Sequence, residues 1–444
     1  MTRRARWSVP IAVAAVLALA GTAYATITIS PVNPDTAGQK VGGNYTFNYG
    51  NSLEKSTCGG NTFLNALYAT DYVGGNFASD SGPYQGAYAT RANIAGSPLV
   101  WSAPKRVNPG TQHAERTTLA ADGTNVYYGY VSQVSYDNYD PAAKRVFYVK
   151  TSTDCGNTFG PPIRLSGGTG RVDYPILAAD NGVAYAIWAD GATGAIRFSK
   201  STNSGATWTT STVGTTTSKD PADPQEGFYG YPTVAASGAN VAIGWFTNNA
   251  GRQVIRGSSN SGTSFGPEVV ATATSPNDTV HYMTGGGQED GINDRVALAY
   301  TSTTGVHVRV WDGSWAGAQT VETYGSTIAG TTFSGSYGPA PLPYGANGIT
   351  VVYPNCQVTA QTPNDCDYGL AKVRVSLILE DSVTGTFGDS NPRVLAASVQ
   401  TRYLNDSASI VTNGTKRFIL YNGWTANYAY YRLFMKQATG TGPS

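Results

Sequence analysis

The chain has 444 residues, with 53 Gly and 29 Tyr but only 13% charged residues and a formal net charge of +1. This turn-rich, strand-rich composition argues for an all-β protein over a helical one. A hydrophobic content of 41% excludes global disorder, and the near-neutral charge removes the electrostatic case for a nucleic-acid or anionic-membrane partner.

Residues 1–25 read as a signal peptide. Arg3, Arg4 and Arg6 form a positive n-region, Val9 to Gly21 is a short apolar stretch, and Ala23-Tyr24-Ala25 offers a small-x-small cleavage pattern. No segment approaches the ~20 apolar residues of a spanning helix. General export is the expectation, with cleavage near Ala25 and a secreted, extracellular product. The Arg3-Arg4 pair leaves twin-arginine export as the alternative. An exported chain with four cysteines is expected to hold two disulfides. Cys356 and Cys366 flank one polar loop and are expected to pair, which leaves Cys58 with Cys155.

The mature chain opens with Ile27-Thr28-Ile29, a short β-branched strand with no partner nearby. A strand–turn–strand pattern then repeats. Its poorest copy starts at Tyr45 (Asn44 to Phe47, then Phe63 to Ala69). The next starts at Arg116 (Thr117 to Ala121, then Val126 to Val131). The clearest start at Tyr174-Pro175, turning at Asp180-Asn181-Gly182 into Val183 to Trp188, and at Tyr231-Pro232, turning into Val241 to Phe246. Later copies start at Tyr282, Tyr337 and Tyr403. From Arg116 onward the intervals are 58, 57, 51, 55 and 66 residues, room for four short strands and their turns. This predicts one domain over 26–438 followed by a short tail at 439–444. The fold is a seven-bladed β-propeller, with six blades as the alternative count, closed by the N-terminal strand joining the last blade.

A second motif marks the hairpin after each strand pair. Ser152-Thr153-Asp154-Cys155-Gly156-Asn157-Thr158-Phe159 is matched position by position by Ser201 to Trp208 and by Ser258 to Phe265. An Asp or Asn closes a local turn on backbone amides, Gly takes a positive φ, and the aromatic anchors the hairpin. These three segments resemble the Asp-box, or BNR repeat, of the sialidase superfamily. The resemblance implies a propeller fold and glycan-directed activity. The Arg-Ile-Pro motif of sialidases is absent, so no family residue role is carried over.

In a propeller the heads of the innermost strands ring one mouth of the axial channel. That mouth is expected to carry Tyr45, Arg116, Tyr174, Tyr231, Tyr282, Tyr337 and Tyr403. Tyrosines stack on sugar C–H faces and bond hydroxyls. Beside them fall His113, Glu115, Arg171, Asp173, Asp190, Asp220, Asp223, Glu226, His281, Arg402 and Asp406. Glu115, Asp173, His113 and His281 are the candidate catalytic groups, able to move protons. Arg116, Arg171 and Arg402 could grip a carboxylated sugar, alongside Tyr174, Tyr231, Tyr282, Tyr337 and Tyr403. His307 lies within a strand and reads as structural. Asp137 to Asp140 could hold a structural calcium only weakly, and no cofactor or metal is otherwise implied. The expected partner is an extracellular glycan acted on by a monomer, a glycoside hydrolase or polysaccharide lyase. A non-catalytic glycan-binding propeller and a protein-interaction scaffold are the alternatives; the scaffold predicts a buried aromatic ring.

Overall fold

The computed structural model describes residues 27–30, 39–41, 46–47, 51–70, 72–73, 76–77, 84–96, 99–133, 145–167, 171–218, 228, 230–248, 252–273, 283–288, 293–323, 325, 327–328, 331–332, 338–344, 348–358, 366–380, 387–389, 393–396, 408–414, 416–424 and 431–440. Among these every regular element is a strand, so no helix is long and apolar enough to cross a membrane. Among the described residues, seven sheets of four or five strands are formed, with two small two-stranded ribbons.

Each sheet is antiparallel, and in all but the first and seventh the earliest strand in the chain is the inner one. In chain order the inner strands are Leu53–Cys58, His113–Asp122, Val172–Asp180, Thr233–Ser237, Thr284–Gly287, Ala340–Tyr344 and Ser409–Thr412. Each touches the next, and Ser409–Thr412 packs back on Leu53–Cys58, so the contacts run in a cycle around an axis. This is the arrangement of a β-propeller. In the first sheet Thr46–Phe47 extends the inner strand by pairing with Ala69 and Thr70. In the seventh, Ile27–Ser30 pairs antiparallel with Gln437–Gly440 and forms the outermost strand, so the last strand runs on to Gly440.

The second strands are covered by neighbouring sheets on both faces, which explains their unbroken apolar runs. All six residues of Val296–Thr301 are buried, as are the central six of Val183–Asp190. Between the second and third sheets, Tyr127, Val131 and Phe147 pack with Leu177, Ala186 and Trp188. Between the third and fourth, Tyr185, Ile187 and Phe198 meet Val234, Ile243 and Trp245. Each such fully buried side chain contributes roughly 1.5–3 kcal/mol.

Polar staples join neighbouring sheets at the ends. Cys58 and Cys155 form a disulfide with Cα atoms 6.1 Å apart, linking the first inner strand to the hairpin of the second sheet. Asp122 accepts the Gly182 N–H at 2.6 Å, and Asp180 accepts the Gly238 N–H at 2.5 Å. Lys55 donates to the Thr412 carbonyl at 2.8 Å, joining the first sheet to the seventh. Cys356 and Cys366 lie on the paired strands Gly348–Val358 and Cys366–Glu380, with Cys366 opposite Val358; their side chains fall outside the described residues.

The three hairpin turns share one bonding scheme. Ser152 Oγ accepts the Gly156 N–H at 2.8 Å, and Asp154 accepts the N–H and hydroxyl of Thr158 at 2.8 and 2.7 Å. In the next copy Ser201 accepts from Gly205 and Asn203 from Thr207, both at 2.9 Å. Ser258 and Asn260 repeat this with Gly262 and Ser264 at 3.1 and 3.0 Å. Phe159, Trp208 and Phe265 then pack edge-on against Tyr128, Tyr127 and Phe198.

Two stability predictions arise here. A Cβ on Gly286 would run into the carbonyl oxygen of Pro341, a backbone atom of the neighbouring inner strand, whereas a Cβ on Gly110 meets nothing. Gly286→Ala is therefore expected to destabilise by at least about 2 kcal/mol and Gly110→Ala by less than about 0.5 kcal/mol in guanidinium unfolding. Burial raises the Asp154 carboxyl, but hydrogen bonds from Thr158, Ser152 and Asn157 outweigh it and bring the pKa to about 2. A folded value below the unfolded one gives stability above the unfolded pKa that is lost as pH falls through the folded pKa. Asp154→Asn, which copies the other two hairpins, should fold normally at pH 7 and flatten the acid limb of the melting-temperature profile between about pH 4 and 2.

Candidate functional site

The site lies at the heads of the second, third and fourth inner strands. Pairing with the neighbouring strand slips between Glu115 and Thr118, and between Asp173 and Ile176. The slip releases Arg116-Thr117 and Tyr174-Pro175 from the ladder, where Pro175 has no N–H to give. Arg116, Tyr174 and Tyr231 there take left-handed φ values of 51°, 50° and 38°. The structure thus gives the three repeat starts one shared backbone conformation.

Their side chains meet across the sheets. The Arg116 guanidinium carbon lies 4.2 Å from the centre of the Tyr174 ring. The Tyr174 and Tyr231 rings are 4.7 Å apart, and Tyr231 meets Phe246 edge-on at 6.1 Å. Tyr174 and Tyr231 are only 7% and 8% exposed, which removes them from the sugar-facing platform that the sequence implied. Arg116 keeps partial exposure.

Glu115 and Arg145 form a buried ion pair at 3.5 Å, with side-chain exposures of 6% and 0%. His113 is fully buried; its Nδ1 accepts the Gln85 N–H at 3.1 Å, and Tyr84 packs edge-on at 4.9 Å. An Nδ1 acting as acceptor places the proton of the neutral ring on Nε2. Arg171 is buried, and its carbonyl accepts the Gly191 N–H at 2.7 Å. Asp190 accepts from Ala192 and Thr193 at 3.1 and 3.3 Å and lies 3.8 Å from Arg197, a local turn arrangement. His307 sits within Gly305–Trp311, bonded to Ser302 at 2.7 Å, and burial together with Arg309 pushes its imidazole below the ordinary value.

Asp173 is described in its backbone alone. Tyr45, Asp137 to Asp140, Asp220, Asp223, Glu226, His281, Tyr282, Tyr337, Arg402, Tyr403 and Asp406 lie outside the described residues, as does the segment 1–25. Sequence reading did not single out Arg145. Its stretch Ala143-Lys144-Arg145-Val146 carries no motif; only the pairing of Val146 with Ser132, next to Val131 opposite Glu115, brings it to the carboxylate.

An axial cavity of about 250 Å³ is lined by residues of all seven inner strands. Its wall includes Ala178, Ala235, Gly285 and Ala340, and Asp122 and Asp180 stand at the turns. Burial raises the Asp180 carboxyl above the ordinary range; the Gly238 N–H opposes this, and the charges of Asp122 and Asp294 add to it. Among the described residues no group of three or more His, Cys, Asp or Glu could hold a metal ion.

No family model and no curated protein matches the chain. Among solved structures, a Trypanosoma rangeli sialidase in complex with sialic acid is 11% identical, over 94% of this chain and 59% of its own, with a TM-score of 0.46. The phage phi92 endosialidase is 10% identical over 95% and 70% of the two chains, TM-score 0.48. A Dyadobacter fermentans DSM 18053 protein of unknown function is 14% identical over 72% and 94%, TM-score 0.44. The chain spans less than two thirds of the length of the Trypanosoma rangeli sialidases it matches.

The buried pair sets a test. Arg145→Met alone is expected to destabilise by about 3–5 kcal/mol because it strands a buried carboxylate. The double variant Glu115→Leu/Arg145→Met should lose less than Arg145→Met does. Guanidinium unfolding of wild type and these two variants measures both, and a single-variant loss below about 1 kcal/mol would class the pair with exposed bridges.

Proposed function

We propose that this chain is an exported, glycan-active β-propeller of seven blades, a glycoside hydrolase or polysaccharide lyase of the Asp-box, sialidase-like group. The signal-like segment 1–25 supports export. The cycle of inner strands and the pairing of Ile27–Ser30 with Gln437–Gly440 support seven blades closed by the N-terminal strand. The three hairpins with their Ser–Gly and Asp/Asn–Thr/Ser bonds support the Asp-box reading.

The observation that carries the functional reading is the charged head of the second inner strand. There Arg116 reaches over Tyr174 while the adjacent Glu115 sits against Arg145. A guanidinium at a channel mouth can orient a hydroxylated or carboxylated ring. A carboxylate beside it can take a proton from the reacting sugar. The fold by itself fixes neither substrate nor reaction.

A second reading, a non-catalytic glycan-binding propeller, is favoured by the engagement of His113 Nδ1 with Gln85 and of Glu115 with Arg145. A screen against sialosides, neutral glycans and uronic-acid polysaccharides separates the two, reading reducing ends and the absorbance of unsaturated products. Turnover is expected on at least one class, falling about 10²-fold or more in Glu115→Gln. Saturable binding without turnover establishes the second reading. Neither binding nor turnover on any class would overturn both.

A further inference from the structure

The two buried tyrosines need a role of their own. A sugar platform presents open ring faces to solvent, yet Tyr174 and Tyr231 are 7% and 8% exposed and Phe246, behind them, is 6% exposed. Of the residues in this row only Arg116 retains partial exposure. The row has an order: Phe246 backs Tyr231 at 6.1 Å, Tyr231 backs Tyr174 at 4.7 Å, and Tyr174 lies 4.2 Å from the Arg116 guanidinium carbon. All three heads hold a non-glycine residue at a φ between 38° and 51°, where glycine is favoured. Two of them, Tyr174 and Tyr231, precede a proline, which disfavours helical backbone further. Keeping large side chains at strained positions is intelligible when the side chains themselves are used.

We propose that Tyr174 and Tyr231 are positioning residues, a packed rail across adjacent sheets that orients the Arg116 guanidinium at the axial mouth, where Arg116 alone of the three meets the ligand. A cation–π contact shielded from water is strong enough to favour one orientation by about tenfold. The Tyr174 hydroxyl plays no part in this, so a phenylalanine would serve as well. The proposal rests on placing the binding site at this mouth.

The test reads Arg116 directly. Phenylglyoxal modifies arginines in the folded protein, and peptide mass spectrometry gives the rate at Arg116. Tyr174→Leu is expected to raise that rate about tenfold, while Tyr174→Phe stays within about twofold of wild type. With polygalacturonate as probe, Tyr174→Leu should weaken binding about tenfold and Tyr174→Phe should bind as wild type. If Tyr174→Leu does not fold, Tyr231→Leu, one step further from the guanidinium, carries the same comparison. An unchanged Arg116 rate in the leucine variant overturns the rail. So does a Tyr174→Phe variant as impaired as Tyr174→Leu, which would make the hydroxyl a ligand contact. Absence of binding by the wild type would count against the site reading alone, because the modification rates are measured without any ligand.

Discussion

Neighbouring inner strands approach so closely at the axis that backbone meets backbone. A side chain on Gly286 would strike the carbonyl oxygen of Pro341, one on Gly287 that of Ala236, and one on Gly285 would crowd Ala235. This proximity narrows the axial cavity to about 250 Å³ and lets each sheet fan outward against the next. The second strands are thereby covered on both faces, and the large aromatic clusters form between sheets instead of at a single centre. Because the contacts run in a cycle, a shift at one junction must be absorbed by the others. A frame of this kind suits a site built from the heads of several strands, since each head is fixed by neighbours on both sides.

The same close approach explains which elements could be read from sequence. Val183 to Trp188 and Val241 to Phe246 were plain because burial on both faces writes an unbroken apolar run. Thr284–Gly287 follows the repeat start expected at Tyr282 although its three consecutive glycines have poor strand propensity; the close approach at the axis is what requires them. In the first sheet Leu53–Cys58, not the segment at Tyr45, supplies most of the inner strand. For the site, the repeat spacing located Arg116, Tyr174 and Tyr231 at equivalent heads. Their burial was not legible, because a tyrosine at a strand head looks the same whether it faces a ligand or the next tyrosine. Arg145 was invisible for a different reason, since it reaches Glu115 through strand pairing and not through proximity along the chain.

Two aspartates show how position sets charge behaviour. Asp154, in a hairpin at the rim, is drawn down to about 2 although burial pushes upward, because its own turn supplies several donors. Asp180, at the axial cavity, is raised by burial, which backbone N–H groups of Gly238 and Asn181 oppose and the charges of Asp122 and Asp294 reinforce. The linkage signs are opposite. A depressed carboxyl contributes stability that is lost as pH falls through its folded value, whereas a raised one carries a penalty that disappears as pH falls through its own. Acid therefore loosens the hairpin at Asp154 while relieving the penalty at Asp180, so these two groups contribute to the pH response with opposite sign.

Repetition makes departures from the pattern informative. The third and fourth units begin with Tyr-Pro, at Tyr174-Pro175 and Tyr231-Pro232, and the second begins with Arg116-Thr117 in the same left-handed conformation. Nothing about the backbone demands an arginine there, since tyrosine satisfies the same geometry in two neighbouring sheets. The exchange places one cation at the end of an aromatic row that the adjacent units already provide, and it does so next to Glu115, whose own counter-charge comes from Arg145. A ring of equivalent units has no distinguished position around its axis. Arg116 in place of tyrosine breaks the equivalence of the described heads at a junction where side chains of three sheets meet.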